Sequence, residues 1–413
     1  MQEESHKVRF GELAGLCVLG FLTLASYSVA RPAIESLFLE SYTETGLPWV
    51  WMAVAVTAFC TVIIYNRFAS RLPPMTLFGA SVAVSIIALA LLLFLRQIGV
   101  PGSDFMLYIW KDIYIVILVE IFWTYANCLF RIRTARWLYG LLLVVGTMGS
   151  ITGNLGVGWI AENHGTETAL WALFPLLGLV WWMSQHMAGD LPTSNETTNE
   201  SGSVGDGLRV VRNSRYLVGM VLLIAVVQVV INLIDYQYNS ILEESYPDLN
   251  ERTKVNGEIY SIIDLSSLGL QFLTALVLTR LGVGRTLMAI PVMLGVVVGA
   301  FAASPRFLTA AIAKIGSKCF DYSLFRAAKE ILYIPLGYRE KTQGKAVVDM
   351  LTYRVAKGTA SILVLGILAL GSDGILSLIS ILCFVLIAVW MVLVRFLVHQ
   401  YRKRKEAQGA FEE

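Results

Sequence analysis

The sequence predicts an all-α polytopic membrane protein with about twelve transmembrane helices in two six-helix lobes. Three observations predict it. The 413 residues are 56% hydrophobic and only 15% charged. Their apolar residues run in blocks such as Ser81 to Leu95 and Ile362 to Leu370, and the chain divides into stretches of about 20 residues, the length that crosses a hydrocarbon core of roughly 30 Å. The strict apolar and polar alternation over about 10 residues that marks a transmembrane strand is absent.

Taken in order, the first span covers 11–40, opening after the polar leader Gln2 to Lys7 and running on through Arg31 and Glu35. It has no small-residue cleavage site, so no cleaved signal or transit peptide is expected. The second span (47–66) follows the acidic loop Glu40 to Glu44 and ends at the basic pair Arg67 and Arg71. The third (74–95) and fourth (104–130) come next, and Arg131 to Arg136 separates the fourth from the fifth (137–160). Glu162 to Glu167 leads into the sixth (168–187), and Arg209 to Arg215 precedes the seventh (216–241). The tight loop Gly282-Val-Gly284-Arg285 divides the eighth (257–279) from the ninth (286–303). The tenth (306–335) reaches the basic loop Arg339 to Lys345, which opens the eleventh (345–370), and Gly371 to Gly374 turns the chain into the twelfth (374–400).

The basic loops alternate with acidic or neutral ones, and the tail Tyr401 to Lys405 falls on the basic side. By the positive-inside rule both termini are expected to be cytoplasmic. The net charge of +2 gives no basis for a nucleic-acid partner. Cys17, Cys60, Cys128, Cys319 and Cys383 sit in apolar segments without paired spacing and read as reduced packing residues.

Leu191 to Asp206 is rich in Ser, Thr, Asn and Glu, which predicts a flexible linker. The expected organisation is an N-terminal lobe over 1–190, a cytoplasmic linker over 191–215 and a C-terminal lobe over 216–413. Glu35-Ser-Leu-Phe-Leu-Glu-Ser-Tyr42 ends the first helix as Asn239-Ser-Ile-Leu-Glu-Glu-Ser-Tyr246 ends the seventh, so the lobes read as repeats. Paired six-helix halves describe the major facilitator architecture, in which substrate is expected between the halves near mid-membrane.

Charges inside such spans are costly and mark pathways or sites. On the tenth span Lys314, Lys318, Asp321 and Lys329 project to one face of an ideal helix. The seventh carries Gln228, Asn232, Asp235 and Asn239, and the first carries Tyr27, Arg31 and Glu35. The fourth adds Glu120, Thr124, Asn127 and Arg131, with Lys111 and Asp112 near its outer end. Asp264, Asp349 and Arg354 are open between ion pairing and a pathway role. Glycines 146, 149, 153 and 156 give the fifth span a smooth face for helix packing. No Walker sequence, dinucleotide fingerprint or nucleophile elbow occurs, so neither ATP-driven pumping nor soluble-type catalysis is indicated, and no cofactor or metal is expected.

Tyr322-Ser-Leu-Phe325, Lys329-Glu330-Ile-Leu-Tyr333-Ile-Pro-Leu336 and Lys341-Thr-Gln-Gly-Lys345-Ala-Val-Val-Asp349 resemble the ATP:ADP antiporter family of intracellular bacteria and plastids, which reads YSLFDPTKEMAYIPLD and then KxKGKAAIDV. Phe122-Trp-Thr-Tyr-Ala-Asn127 is similar to that family's FWGFAN, and Arg31-Pro-Ala-Ile-Glu-Ser-Leu37 to its RTAKDTL. The resemblance implies a major facilitator-like fold, nucleotide exchange and phosphate contact by Lys329. Two positions depart, and they mark a divergent member: Ile34 stands at the first-helix lysine, and Lys111 at the glutamate of the fourth-helix motif ELWGS.

The expected function is therefore secondary transport of an anionic, nucleotide-like or phosphorylated solute, possible substrates being ATP and ADP, by exchange or proton coupling in a monomer. Arg31, Lys318, Lys329, Asn127, Asn232, Asn239 and Arg354 are the expected solute contacts. Glu35, Glu120, Asp235, Asp264, Glu330 and Asp349 are the expected coupling or charge-balancing groups. The alternatives are a proton-coupled carrier or exporter of a non-nucleotide solute and a lipid-handling membrane protein, which would open an apolar lateral groove.

Overall fold

The computed structural model describes residues 10–69, 71–129, 132–187, 204–337, 340, 345–371 and 374–409. Among them the regular structure is helical. In chain order the helices are α1 (Phe10–Tyr42), α2 (Leu47–Ala69), α3 (Pro74–Gln97), α4 (Ser103–Leu129), α5 (Ile132–His164), α6 (Thr166–Trp171) and α7 (Leu173–His186). There follow α8 (Val204–Asn213), α9 (Arg215–Ser245), α10 (Leu249–Ala303), α11 (Phe307–Phe320), α12 (Arg326–Leu332), α13 (Lys345–Ala369) and α14 (Ile375–Gly409). The predicted spans fall on these helices, and seven of the described helices are long and apolar enough to cross a bilayer by length and composition alone.

Three local features refine the sequence reading. The last part of the expected linker is helical, as α8, and packs against α9 and α13. The long α10 holds two predicted spans, broken at Gly282, whose φ of 74° and ψ of 161° suit a residue without a Cβ. The tenth span is not one regular helix: α11 passes through a π-helical turn, Asp321–Phe325, into α12, which ends at Leu332. A π turn inserts about one residue and rotates the helix beyond it by about a quarter turn. The single face expected for Lys314, Lys318, Asp321 and Lys329 therefore does not run straight through.

The chain forms two compact units. Unit 1 comprises Met1–Ser41, Val56–Thr198 and Tyr246–Asp264. Lipid is as apolar as leucine, so its helices are held by close packing and polar contacts more than by exclusion from water. Small residues let backbones approach: a Cβ on Gly149 would lie 2.2 Å from the Phe21 carbonyl oxygen, and one on Gly153 would lie 2.4 Å from that of Ala25. A Cβ on Gly257 would lie 2.5 Å from the Asn154 carbonyl oxygen, whereas Gly156 faces open space. Thus α5 is clamped between α1 and the start of α10. Asp248 caps that start by accepting from the backbone N–H groups of Asn250 and Glu251. The buried Arg252 then pairs with Glu40, Lys254 with Glu162 at 2.7 Å, and Asn250 Oδ1 accepts from Thr166 N at 2.7 Å.

Unit 2 comprises Tyr42–Ala55, Asn199–Ser245 and Leu265–Glu413. Its centre is α9, whose Tyr216, Leu217, Leu223, Ile224 and Val227 pack with Leu287 and Ile290 of α10, Leu332 of α12 and Trp390 and Leu397 of α14. Tyr216 Oη donates to the Leu332 carbonyl at 2.7 Å, satisfying a C=O at the end of α12. Arg404 near the end of α14 pairs with Glu340 at 2.8 Å and contacts Ser214.

Candidate functional site

Each unit buries one charged cluster on its spanning helices. In unit 1 α1 supplies Arg31 and Glu35, one turn apart, with Nε to Oε1 at 3.8 Å. From α10, Asn256, Tyr260 and Asp264 follow at i, i+4 and i+8, a polar face toward α1. Tyr260 Oη donates to Glu35 Oε2 at 2.7 Å and Asn256 Nδ2 donates to the same oxygen at 3.2 Å. The Arg31 guanidinium lies 3.3 Å from the Tyr260 ring centroid, stacked on it.

From α4 comes Lys111, only 1% exposed. Its Nζ lies 2.8 Å from Asp112 Oδ1 and 3.4 Å from Glu35 Oε1, over the Tyr108 ring at 3.7 Å. Sequence reading set Lys111 near the outer end of its helix; the fold buries it instead, beside α1. Ile34 is fully buried. The two departures from the family motifs thus have a physical reading: the buried cation sits at 111 on α4, and its acid at 35 on α1.

In unit 2 Lys314 is fully buried, with Nζ 3.0 Å from Asp235 Oδ1 and 3.9 Å from the Tyr238 ring centroid. Both partners are on α9, one turn apart. Asp321, inside the π turn, accepts from Gln228 Nε2 at 3.0 Å and feels the charges of Lys318, Arg326 and Lys329. Lys329 is 6% exposed and approaches Tyr353 Oη of α13 at 3.4 Å. The turn's opened backbone is partly satisfied by Gln271, which donates to the Tyr322 carbonyl.

Other expected residues lie elsewhere. Asn232 and Asn239 direct their amide nitrogens to the carbonyls of Gln228 and Asp235, four residues back on their own helix. Asn127 is exposed and accepts from Tyr139 Oη of α5, about 24 Å along α4 from Lys111 at 1.5 Å per residue. Glu120 is exposed on α4. Glu330 pairs with Lys345 at 2.6 Å, both side chains well exposed, and not with the Lys314 cluster. Arg354 is half-buried on α13. The side chain of Asp349, and Arg131 altogether, lie outside the described residues. Lys111, Asn256, Tyr260 and Tyr238 were missed as site residues, although the stripe Asn256, Tyr260, Asp264 was a readable signal.

Unit 1 also holds an apolar recess of about 650 Å³ lined by α2, α3 and α4, including Thr57, Ile64, Val84, Leu91, Met106 and Ile113. Its lining carries no ionised side chain, so its chemistry suits acyl chains and not an anion.

The described helices, seven of them long and apolar enough to cross a bilayer by length and composition, carry buried ion pairs, and whole-chain likenesses report the fold. A crystal structure of a variant of the nucleoside transporter NupG matches with a TM-score of 0.74 and 12% identity, covering 94% of this chain and 99% of that one. A bacterial homologue of the iron transporter ferroportin, inward-facing, matches at 0.71 with 9% identity, covering 94% and 98%. At such identities the likeness establishes the fold, that of major facilitator-type transporters.

The chain belongs to the TLC ATP/ADP transporter family, whose sequence model matches residues 103–307 and 303–401. It is 25% identical over 324 residues to ADP,ATP carrier protein 1 of Chlamydia pneumoniae, covering 67% of this chain and 63% of that one. It is 23% identical over 333 residues to the chloroplastic ADP,ATP carrier protein 1 of Arabidopsis thaliana, covering 71% and 53%. ADP,ATP carrier protein 3 of Rickettsia bellii matches at 23% over 351 residues, covering 71% and 70%. The chain spans about three-fifths of the length of its chlamydial relatives.

Proposed function

We propose that the chain is a secondary active transporter of an anionic, nucleotide-like or phosphorylated solute, working by alternating access in an inner membrane with both termini cytoplasmic. One observation carries the anion: Lys314 and Lys329 are buried lysines on α11 and α12, and Lys318, Arg326 and Lys329 act on Asp321 in the turn between those helices. Buried cations within spanning helices suit a solute that brings negative charge. Phosphate oxygens suit this set, since lysine offers compact charge and three donors without demanding a planar fork. The ATP/ADP carriers among the relatives support a nucleotide as the solute. In unit 1 the Arg31 guanidinium, stacked on Tyr260 and 3.8 Å from Glu35, is a second candidate contact.

The ion pairs fit an exchange mode. With no solute, Asp235 and Glu35 neutralise Lys314 and Lys111; an incoming phosphate competes for the cations. The test is counterflow into proteoliposomes preloaded with ATP, ADP, a sugar phosphate or nothing, using labelled nucleotides outside. Uptake that depends on internal anion supports the reading; no counterflow with any of these anions rejects it. Lys329→Ala is expected to weaken anion binding at least tenfold, with Lys329→Arg intermediate, and unchanged affinity in Lys329→Ala would make that lysine structural.

A further inference from the structure

Asp264 differs from every other carboxylate of the unit 1 cluster. Glu35 and Asp112 face Lys111, but Asp264 forms no ion pair within 4.0 Å among the described residues. Its partners are neutral: Ser150 Oγ donates to Oδ2 at 2.5 Å and Asn154 Nδ2 donates to the same oxygen at 3.0 Å. Ser28 Oγ of α1 lies 2.6 Å from Ser150 Oγ and extends the group. The close packing of α5 on α1 and α10 at Gly149, Gly153 and Gly257 brings these three helices near enough for the contacts to form.

A second observation concerns Asn154, which is 2% exposed. Its Nδ2 is spent on Asp264, and Oδ1 of the same planar amide is buried with no hydrogen-bond partner. A buried acceptor left without a donor is costly, by about 1–3 kcal/mol, and calls for a proton donor or a cation.

We propose that Asp264, with Ser28, Ser150 and Asn154, is the site of one monovalent positive charge, a proton or Na+, coupled to movement of the anionic solute. This rests on the transport reading above. A proton on Asp264 adds an O–H that an acceptor beside it can receive, and no bond to carbon changes. Na+, a hard cation, would take the same oxygens as ligands. Either cation neutralises a carboxylate that forms no ion pair within 4.0 Å among the described residues.

The geometry also links this site to the anion. Of the charged groups around Asp264, α1 presents Arg31, with Glu35 one turn beyond; α10 presents Tyr260; α5 presents the neutral Ser150 and Asn154; and Lys111 and Asp112 of α4 hold each other. Arg31 stacks on Tyr260, one turn from Asp264, and holds Glu35 only at 3.8 Å. Without its cation Asp264 draws on Arg31. Once loaded it releases the guanidinium to a phosphate, so cation and anion favour each other's binding, and the coupling is reciprocal.

The test has two readouts on the full chain. In proteoliposomes, gradient-driven uptake is compared with gradient-free counterflow under an imposed tenfold gradient of protons or of Na+. One-to-one coupling is expected to give up to about tenfold accumulation in the wild type, and a ratio near one in Asp264→Asn. Response to the proton gradient alone identifies the proton, and response to Na+ alone identifies Na+. In detergent, without solute, the thermal transition of the wild type is expected to shift with Na+ or with pH, a shift lost in Asp264→Asn and reduced in Ser150→Ala. Counterflow that runs while neither gradient changes accumulation overturns the cation site and leaves the transport reading intact. An identical thermal response in wild type and Asp264→Asn also overturns it. Absent counterflow with a wild-type thermal shift that Asp264→Asn abolishes would reject the transport reading and keep the site.

Discussion

Replacing Lys111 by methionine keeps the length and volume of the side chain and deletes its charge, which strands two carboxylates. At an effective dielectric of about 20, the 2.8 Å and 3.4 Å separations from Asp112 and Glu35 correspond to about 6 and 5 kcal/mol of gross attraction. Desolvating a fully buried ammonium consumes much of that, and losing one member of a buried pair costs about 3–5 kcal/mol net. Loss of the contact with the Tyr108 ring adds about 0.5–2 kcal/mol. Lys111→Met is therefore expected to destabilise unit 1 by at least about 3 kcal/mol. The double variants Lys111→Met/Asp112→Asn and Lys111→Met/Glu35→Gln should recover part of it. Recovery should be larger with Asp112→Asn, because Glu35 keeps Arg31, Tyr260 and Asn256 as partners. The assay is denaturant unfolding of purified protein in detergent, read as a double-mutant cycle. A single variant within about 1 kcal/mol of wild type, or double variants additive within about 0.5 kcal/mol, would refute the buried-pair reasoning.

Other contacts carry expectations of their own. Gly149→Ala should destabilise strongly or fail to fold, since its Cβ meets the Phe21 backbone at 2.2 Å, whereas Gly156→Ala should be neutral or mildly stabilising; equal thermal transitions in the two would contradict the α1 and α5 packing. In the loop between α12 and α13, partial burial opposes ionisation of Glu340, but the hydrogen bonds from Arg404, Ser214 and the Gly337 N–H, with the Arg404 charge, together outweigh it and hold the carboxyl below the ordinary glutamate value. A depressed carboxyl contributes stability above its unfolded pKa and loses it as pH falls through the folded value. Glu340→Gln should thus be less stable than wild type at pH 7, and the gap should close below about pH 4. A gap that persists in acid would count against the Arg404 pair. Glu120→Gln tests the coupling role expected of that carboxyl: a tenfold loss in initial counterflow rate supports it, and a rate within about twofold of wild type rejects it.

The helices themselves were readable residue by residue. A stretch such as Ser81 to Leu95 has only one stable state in a bilayer, because helix formation satisfies every backbone group within the segment. The family motifs around Tyr322 to Asp349 were readable for the same local reason. The tenth span shows where local reading fails. Its sequence gives no sign that Asp321–Phe325 leaves the α register, since that turn is supported by Gln271 and Gln228 from other helices.

Lys111 makes the same point at the site. By position it lay near the outer end of its helix, and it departed from the family motif, which has a glutamate there. Glu35, seventy-six residues away, turns it into a buried cation with two acids. Glu120 and Asn127 moved the other way, polar residues on a spanning helix that the fold leaves exposed.

By itself the sequence determined the membrane-spanning character, the order of the helices, the family and the supply of charge within the spans, because each follows from local composition and spacing. Which charges meet was decided only by the tertiary structure. Pairing depends on how closely helices distant in sequence approach, and here small residues such as Gly149, Gly153 and Gly257 bring α5 against α1 and α10, where Asp264 takes Ser150 and Asn154 as hydrogen-bond partners.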